Sequence, residues 1–204
     1  VASEFRYRDQ PFSKGSIAIA ISQSGETADT LAAIKKAKES GLITLGIVNT
    51  VGSSIARETD AGVYNHAGPE IGVASTKAFL SQITVLFLLA VYLSKEKEKY
   101  RPLLEELLTI PEKISLILKE TEQIKVLAKK YCQYQNFLFL GRRLLNPVAM
   151  EGALKLKEIS YLHAEGYGAG ELKHGPLALV DKNFPSIALV PQNGVAEKMY
   201  SNIQ

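Results

Sequence analysis

Cysteine is almost missing from this chain of 204 residues. Cys132 stands alone, so no internal disulfide can form and no Cys-rich zinc site can be built. The chain therefore reads as reduced and cytoplasmic. Histidine is scarce too, with only His66, His163 and His174. Neither a metal nor a cofactor is expected. A dominant charge is lacking: 24 basic residues face 21 acidic ones for a net +3, which is too little for a nucleic-acid footprint. The longest apolar run, Ala78 to Leu93, covers 16 residues and is broken by Ser81, Gln82 and Thr84. A membrane span needs roughly 20 largely apolar residues, so this run predicts a buried helix instead. No signal peptide opens the chain. Walker, Gly-x-Gly-x-x-Gly and nucleophile-elbow patterns do not occur.

What remains is the composition of a folded protein, with 46% hydrophobic and 22% charged residues, and this excludes disorder and collagen-like repeats. The length allows one large domain or two small ones. The chain begins at Val1 rather than Met and stops at Gln204 within a helix-like run, so it reads as a piece of a longer protein. Ser16 to Ile21 has the pattern of a strand buried on both faces. A polar turn follows, and a helix from about Thr27 to Ser40 ends at Gly41. Leu42 to Val48 and Ala61 to Asn65 predict two more strands, with a short helix over Ser53 to Glu58 between them. The long helix spans about Ser75 to Ser94. From Lys95 to Lys130 nine basic and seven acidic residues and two helix-starting prolines, Pro102 and Pro111, predict a helical connector with a solvated charged face. The α/β pattern resumes with a strand at Asn136 to Leu140. Asn146-Pro147 is read as the cap and first residue of a helix running to about Tyr161. A Gly-rich irregular stretch, a buried strand over Ser186 to Val190 and a last helix complete the chain.

The fold class predicted is α/β, with parallel sheets flanked by helices. A faint repeat sets Gln23-Ser-Gly25 and its flanking strand and helix against Gln192-Asn-Gly194 and its own. Ser22, Ser24 and Thr27 of the first copy face Pro191, Asn193 and Ala196 of the second. If the first turn binds an anion, the second has lost its hydroxyl donors. The divisions expected are residues 1–94, a connector at 95–132, and residues 133–204.

Three places can carry chemistry. Ser22-Gln-Ser-Gly-Glu-Thr27 lies between a strand and a helix N-terminus, where free N–H groups and the helix dipole suit an anion. The hydroxyls add donors without charge; equally, Ser24 or Thr27 can simply cap the helix. Gly68 to Thr76 opens the long helix in the same way. There Ser75 or Thr76 can cap, and the backbone near Val73 can approach a ligand. On the helix after Pro147, Val148, Met150, Leu154, Leu156 and Ile159 imply burial. Yet Glu151, Lys155 and Glu158 share one stripe. They read either as structural salt bridges or as a base tuned by a neighbouring ammonium. His174 sits on an irregular loop able to present a proton-transfer group, whereas His66 has no partner pattern.

Four segments together carry a resemblance: Ser22-Gln-Ser-Gly-Glu-Thr27, Glu70-Ile-Gly-Val-Ala-Ser-Thr-Lys77, Glu151-Gly-Ala-Leu-Lys-Leu-Lys-Glu158 and Gly170-Glu-Leu-Lys-His-Gly-Pro176. In this order they resemble the isomerase (SIS) region of the glutamine–fructose-6-phosphate aminotransferases, over essentially the whole chain. The resemblance implies two SIS subdomains joined by a helical connector. It implies a phosphosugar held by Ser22, Gln23, Ser24 and Thr27 and lined by Val73 and Ser75. It implies Glu158 as the base between C1 and C2, Lys155 steadying the developing oxygen, and His174 opening the sugar ring from the neighbouring subunit of a dimer. The activity implied is conversion of fructose 6-phosphate and glutamine-derived ammonia to glucosamine 6-phosphate. The family's glutaminase domain, a Gly-Thr-Ser segment near the sugar and a C-terminal lysine have no counterpart in these residues. The chain alone is therefore expected not to hydrolyse glutamine. Two alternatives stand beside this one. Another SIS isomerase, deaminase or deglycase would lack an upstream cysteine-led domain. A sugar-phosphate sensor would not need the Glu158–Lys155 pair. Neither nucleic acid nor membrane is expected as a partner.

Overall fold

The computed structural model describes every residue except Gln10 and Asn193, so Asn193 of the second turn lies outside the described residues. The chain divides into two compact units, Val1–Leu104 and Glu105–Gln204.

In the first unit, a short helix α1 (Ala2–Phe5) precedes β1 (Ile17–Ser22), α2 (Ala28–Glu39), β2 (Ile43–Val48), α3 (Ser54–Glu58), β3 (Ala61–Tyr64) and α4 (Lys77–Leu93). The three strands form a parallel sheet in the order β1-β2-β3. Ile17 pairs with Ile43, and Leu45 with Ala61. Asp60 fixes the start of this register, accepting hydrogen bonds from the Thr44 N–H at 2.8 Å and hydroxyl at 2.9 Å. Gly41, at φ +76°, ends α2 as a left-handed residue that glycine adopts without steric cost.

The core of this unit is Ala20, Ile34, Val48 and Ile55, so α2 and α3 cover one face of the sheet. The opposite face corrects the expectation of a doubly buried β1. Ile17, Ile19 and Ile21 are 53%, 44% and 43% exposed. A strand alternates its side chains, and only the Ala18, Ala20 and Ser22 side has a helix packed on it. The long apolar helix forms, but its predicted burial does not hold. Ala78 and Val91 are buried while Leu80, Ile83, Leu88, Tyr92 and Leu93 remain exposed.

A 3-10 turn (Lys97–Tyr100) leads into α5 (Arg101–Ile117), and the boundary between the units falls inside this helix. Pro102 sits in its first turn as expected. Pro111 does not start a helix but lies within α5. The second unit continues with α6 (Thr121–Tyr131), β4 (Asn136–Gly141), α7 (Leu145–Ser160), β5 (His163–Gly168), β6 (Ser186–Ala188) and α8 (Ala196–Ile203). Its parallel sheet has the order β5-β4-β6. Leu138, Leu140, Leu172, Phe184 and Met199 form the core on one face, and Phe137, Ala153 and Ala164 on the other.

Strand β5 falls in the stretch read as irregular. Its glycines are there because α7 lies against it: a Cβ on Gly166 would collide with the backbone of Met150. The same seam corrects the reading of α7. The helix buries Ala149 and Ala153, while Val148, Met150, Leu154 and Ile159 are more than 40% exposed. Small residues permit close approach to the sheet, and the large ones project elsewhere. The helix also begins at Leu145 with Leu144 as its cap residue, so Asn146 is not the cap and Pro147 sits in the first turn. An apolar groove of about 750 Å³ bounded by Leu127, Tyr131, Phe137 and Leu162 contains none of the candidate site residues. Among the described residues no helix is long and apolar enough to cross a membrane.

Candidate functional site

The C-terminal ends of β1, β2 and β3 face one edge of the first sheet, the edge where open parallel sheets bind ligands. Ser22 is the last residue of β1 and is 7% exposed. Its hydroxyl accepts the Gly25 N–H at 3.0 Å and lies 3.3 Å from the Thr27 hydroxyl. Ser24 accepts the Glu26 N–H at 3.2 Å. Thr27 occupies the N-cap position of α2, yet its side chain makes no cap hydrogen bond. The capping reading of Thr27 thus fails, and the hydroxyl belongs to the turn. Gly25 is held at φ +68°, and a Cβ there would run into the Ser53 hydroxyl. Glu26, the one acid in the turn, is engaged by the Ser54 N–H at 2.7 Å.

Beside this turn is a cleft of about 510 Å³ lined by Gln23, Asn49, Thr50, His66, Gly68 and Glu70. Asn49 braces its far wall, donating to the Gly68 carbonyl at 2.7 Å and accepting the Ala67 N–H at 2.9 Å. The side-chain amide of Asn65 is buried with neither polar atom hydrogen-bonded. The expected cap of α4 is corrected: neither Ser75 nor Thr76 provides it. Glu70 does, its Oε1 accepting the Thr76 and Ala78 N–H groups, each at 2.9 Å, and the Ser75 hydroxyl at 3.3 Å. Those hydrogen bonds, from Ala78 first and Thr76 next, hold the Glu70 carboxyl below its ordinary range. Through Glu70, Ser75 is tied to the cleft. Val73 is 92% exposed on the loop before α4.

In the second unit, α7 brings Glu151, Lys155 and Glu158 together. Lys155 Nζ lies 2.7 Å from Glu158 Oε2 and 3.3 Å from Glu151 Oε1, with the three side chains 20–27% exposed. Burial pulls the Lys155 ammonium down, but the hydrogen bonds and charges of Glu158 and Glu151 outweigh it and leave the pKa above its ordinary value. A proton acceptor beside a fixed positive charge can take a proton from a carbon while the cation steadies the oxygen that gains electron density. His174 ends a 3-10 turn, Glu171–His174, anchored by the buried Leu172. It is exposed, and no hydrogen bond joins it to Lys155 or Glu158. His163 instead pairs with Asn136 at 3.1 Å and Glu165 at 3.5 Å on β4 and β5. Among the described residues no cluster of His, Cys, Asp or Glu could hold a metal ion.

Reading by motif missed Asn49, Asn65 and Glu70. Glu70 stands six and eight residues before the N–H groups it accepts, outside the three-residue spacing of a capping box. Only the fold of the intervening loop reveals it.

These features coincide with strong similarity to known proteins. The chain is 53% identical over 203 residues to a glutamine–fructose-6-phosphate aminotransferase [isomerizing] of Aquifex aeolicus, covering all of this chain and 34% of that protein. It is 54% identical over 208 residues to the protein of the same name from Bacteroides thetaiotaomicron, with the same coverage. It thus spans about a third of the length of these relatives. Among solved structures, the C-terminal domain of glucosamine-fructose-6-phosphate aminotransferase from Francisella tularensis superposes with a TM-score of 0.95 at 46% identity, covering all of this chain and 59% of the other. The SIS domain profile matches residues 1–92 and 131–204, and the chain belongs to the SIS domain family.

Proposed function

We propose that this chain is the isomerase region of an enzyme that makes glucosamine 6-phosphate from fructose 6-phosphate and glutamine-derived ammonia. The turn formed by Ser22, Gln23, Ser24 and Thr27 holds the phosphate through neutral donors and the α2 N-terminus. Ser75 and the backbone at Val73 border the sugar. Ammonia adds to the C2 carbonyl and water leaves, giving an imine. Glu158 then takes a proton from C1 and returns it to C2, while the O1 proton passes to nitrogen in the same net isomerisation. Lys155 stabilises the electron-rich intermediate. His174 opens the sugar ring and is supplied by the second subunit of a homodimer. In the longer protein a glutaminase domain delivers the ammonia, and the setting is cytoplasmic.

The observation that carries this reading is the 2.7 Å contact between Lys155 and Glu158 on a partly buried helix stripe. Holding a phosphosugar needs donors, not a base. The test uses the full-length protein with fructose 6-phosphate and glutamine. The expected result is glucosamine 6-phosphate from wild type and a rate about 10²–10⁴ lower from Glu158→Gln, the usual worth of a general base. Wild-type turnover in that variant would refute the base. Isomerisation of the phosphosugar with no glucosamine 6-phosphate formed when glutamine is supplied would place the protein among other SIS isomerases.

A further inference from the structure

Lys155 has two carboxylate partners, and the proposed proton transfer uses only one. Glu158 at 2.7 Å is the nearer, and Glu151 lies 3.3 Å from the same nitrogen on the opposite side in sequence. All three residues are on α7, with Glu151 and Glu158 at i,i+4 and i,i+3 spacing from Lys155. The charged groups placed against Nζ among the described residues are these two carboxylates.

When a base accepts a proton from carbon it becomes a neutral acid. At that moment Lys155 loses the negative charge of Glu158, just as the substrate oxygen gains electron density. A partly buried ammonium left without a counterion releases its proton more readily and is freer to move. We infer that Glu151 is a positioning residue that keeps the Lys155 ammonium charged and in place during the half-cycle in which Glu158 carries the substrate's proton. This inference rests on the proposed isomerase reading. It assigns different work to two like residues in one stripe: Glu158 exchanges a proton, and Glu151 holds the ammonium.

In the full-length protein, Glu151→Gln is expected to lower kcat for isomerisation about 10–100-fold, the scale of a displaced catalytic group, with KM for the phosphosugar within about 2-fold. Glu151→Asp should recover part of that loss. In Lys155→Met, adding Glu151→Gln should cost nothing more, because the group it positions is gone. A wild-type kcat in Glu151→Gln, or losses that multiply in the double variant, overturns the inference. A second readout leaves Glu151 intact. In Glu158→Gln, whose amide stands in for the protonated acid, ¹⁵N NMR of labelled lysine should find Lys155 still an ammonium up to its ordinary value of 10.5. A midpoint below 10.5 also overturns it. If the wild-type protein does not isomerise the phosphosugar, the isomerase reading fails; if Glu158→Gln is inactive while Glu151→Gln is normal, only the role of Glu151 fails.

Discussion

The two units carry the same kind of sheet and different kinds of side chain around it. Each has three parallel strands, and in each an edge strand, β1 or β6, runs into a turn and a helix. In the first unit that turn is dense with hydroxyls, Ser22, Ser24 and Thr27, while in the second the matching residues Pro191, Asn193 and Ala196 carry none. The charged machinery of the second unit sits instead on α7, as the Glu151–Lys155–Glu158 stripe. Neutral donors recognise an anion without needing to change protonation. A proton shuttle needs titratable groups close enough to tune one another. Duplicating a fold duplicates the sites a ligand could use, and local side chains decide what each copy can do.

Substitutions can break this comparison, and Glu158→Gln should do so most severely, by the factor of about 10²–10⁴ already stated, with phosphosugar affinity retained. The mirror experiment is Ser24→Ala with Thr27→Ala. Losing two donors to a charged phosphate should raise KM by about 10²-fold or more, at about 1.5–3 kcal/mol per hydrogen bond to a charged group, with little change in kcat. Steady-state kinetics on both variants would show whether binding and proton transfer separate as described.

Gly166→Ala probes the seam that lets α7 approach the second sheet. Its Cβ would meet backbone rather than a movable side chain, so a destabilisation of about 1–3 kcal/mol is expected by denaturant unfolding. The smallest effect is acid sensitivity in the first unit. Hydrogen bonds from the Thr44 N–H first and its hydroxyl next hold Asp60 below its ordinary 3.8, and Glu70 lies below its ordinary 4.5. Both contribute stability that is complete above those ordinary values and is lost as pH falls through the lower folded ones. Thermal midpoints should therefore drop on acidification below about pH 4, and less steeply in Asp60→Asn. An unchanged slope would show that Asp60 does not clamp the start of β2.

Much of this was legible along the chain, and the exceptions share a cause. Strands β1, β2 and β4 and helices α2 and α4 follow from apolar runs and from the stop at Gly41, because those are local signals. The turn at Ser22–Thr27 and the stripe on α7 follow from spacing. Strand β5 was hidden because Gly166 answers to Met150 on another element, not to its own sequence neighbours. The cap by Glu70 was hidden for the same reason. Burial was overcounted on β1, α4 and α7, since an apolar run records that side chains are apolar but not which of them another element covers. Ala149 and Ala153 give α7 its buried face even though larger neighbours such as Met150 promise more area.

The most direct test of the division between units is proton exchange at the sugar. Full-length protein incubated with glucose 6-phosphate in D₂O, without ammonia, should form fructose 6-phosphate as the C2 proton signal disappears from the ¹H NMR spectrum. Glu158→Gln should abolish that exchange while the phosphosugar still binds. If the C2 proton persists in wild type although the sugar phosphate binds, the second unit performs no proton transfer and the account of α7 is contradicted.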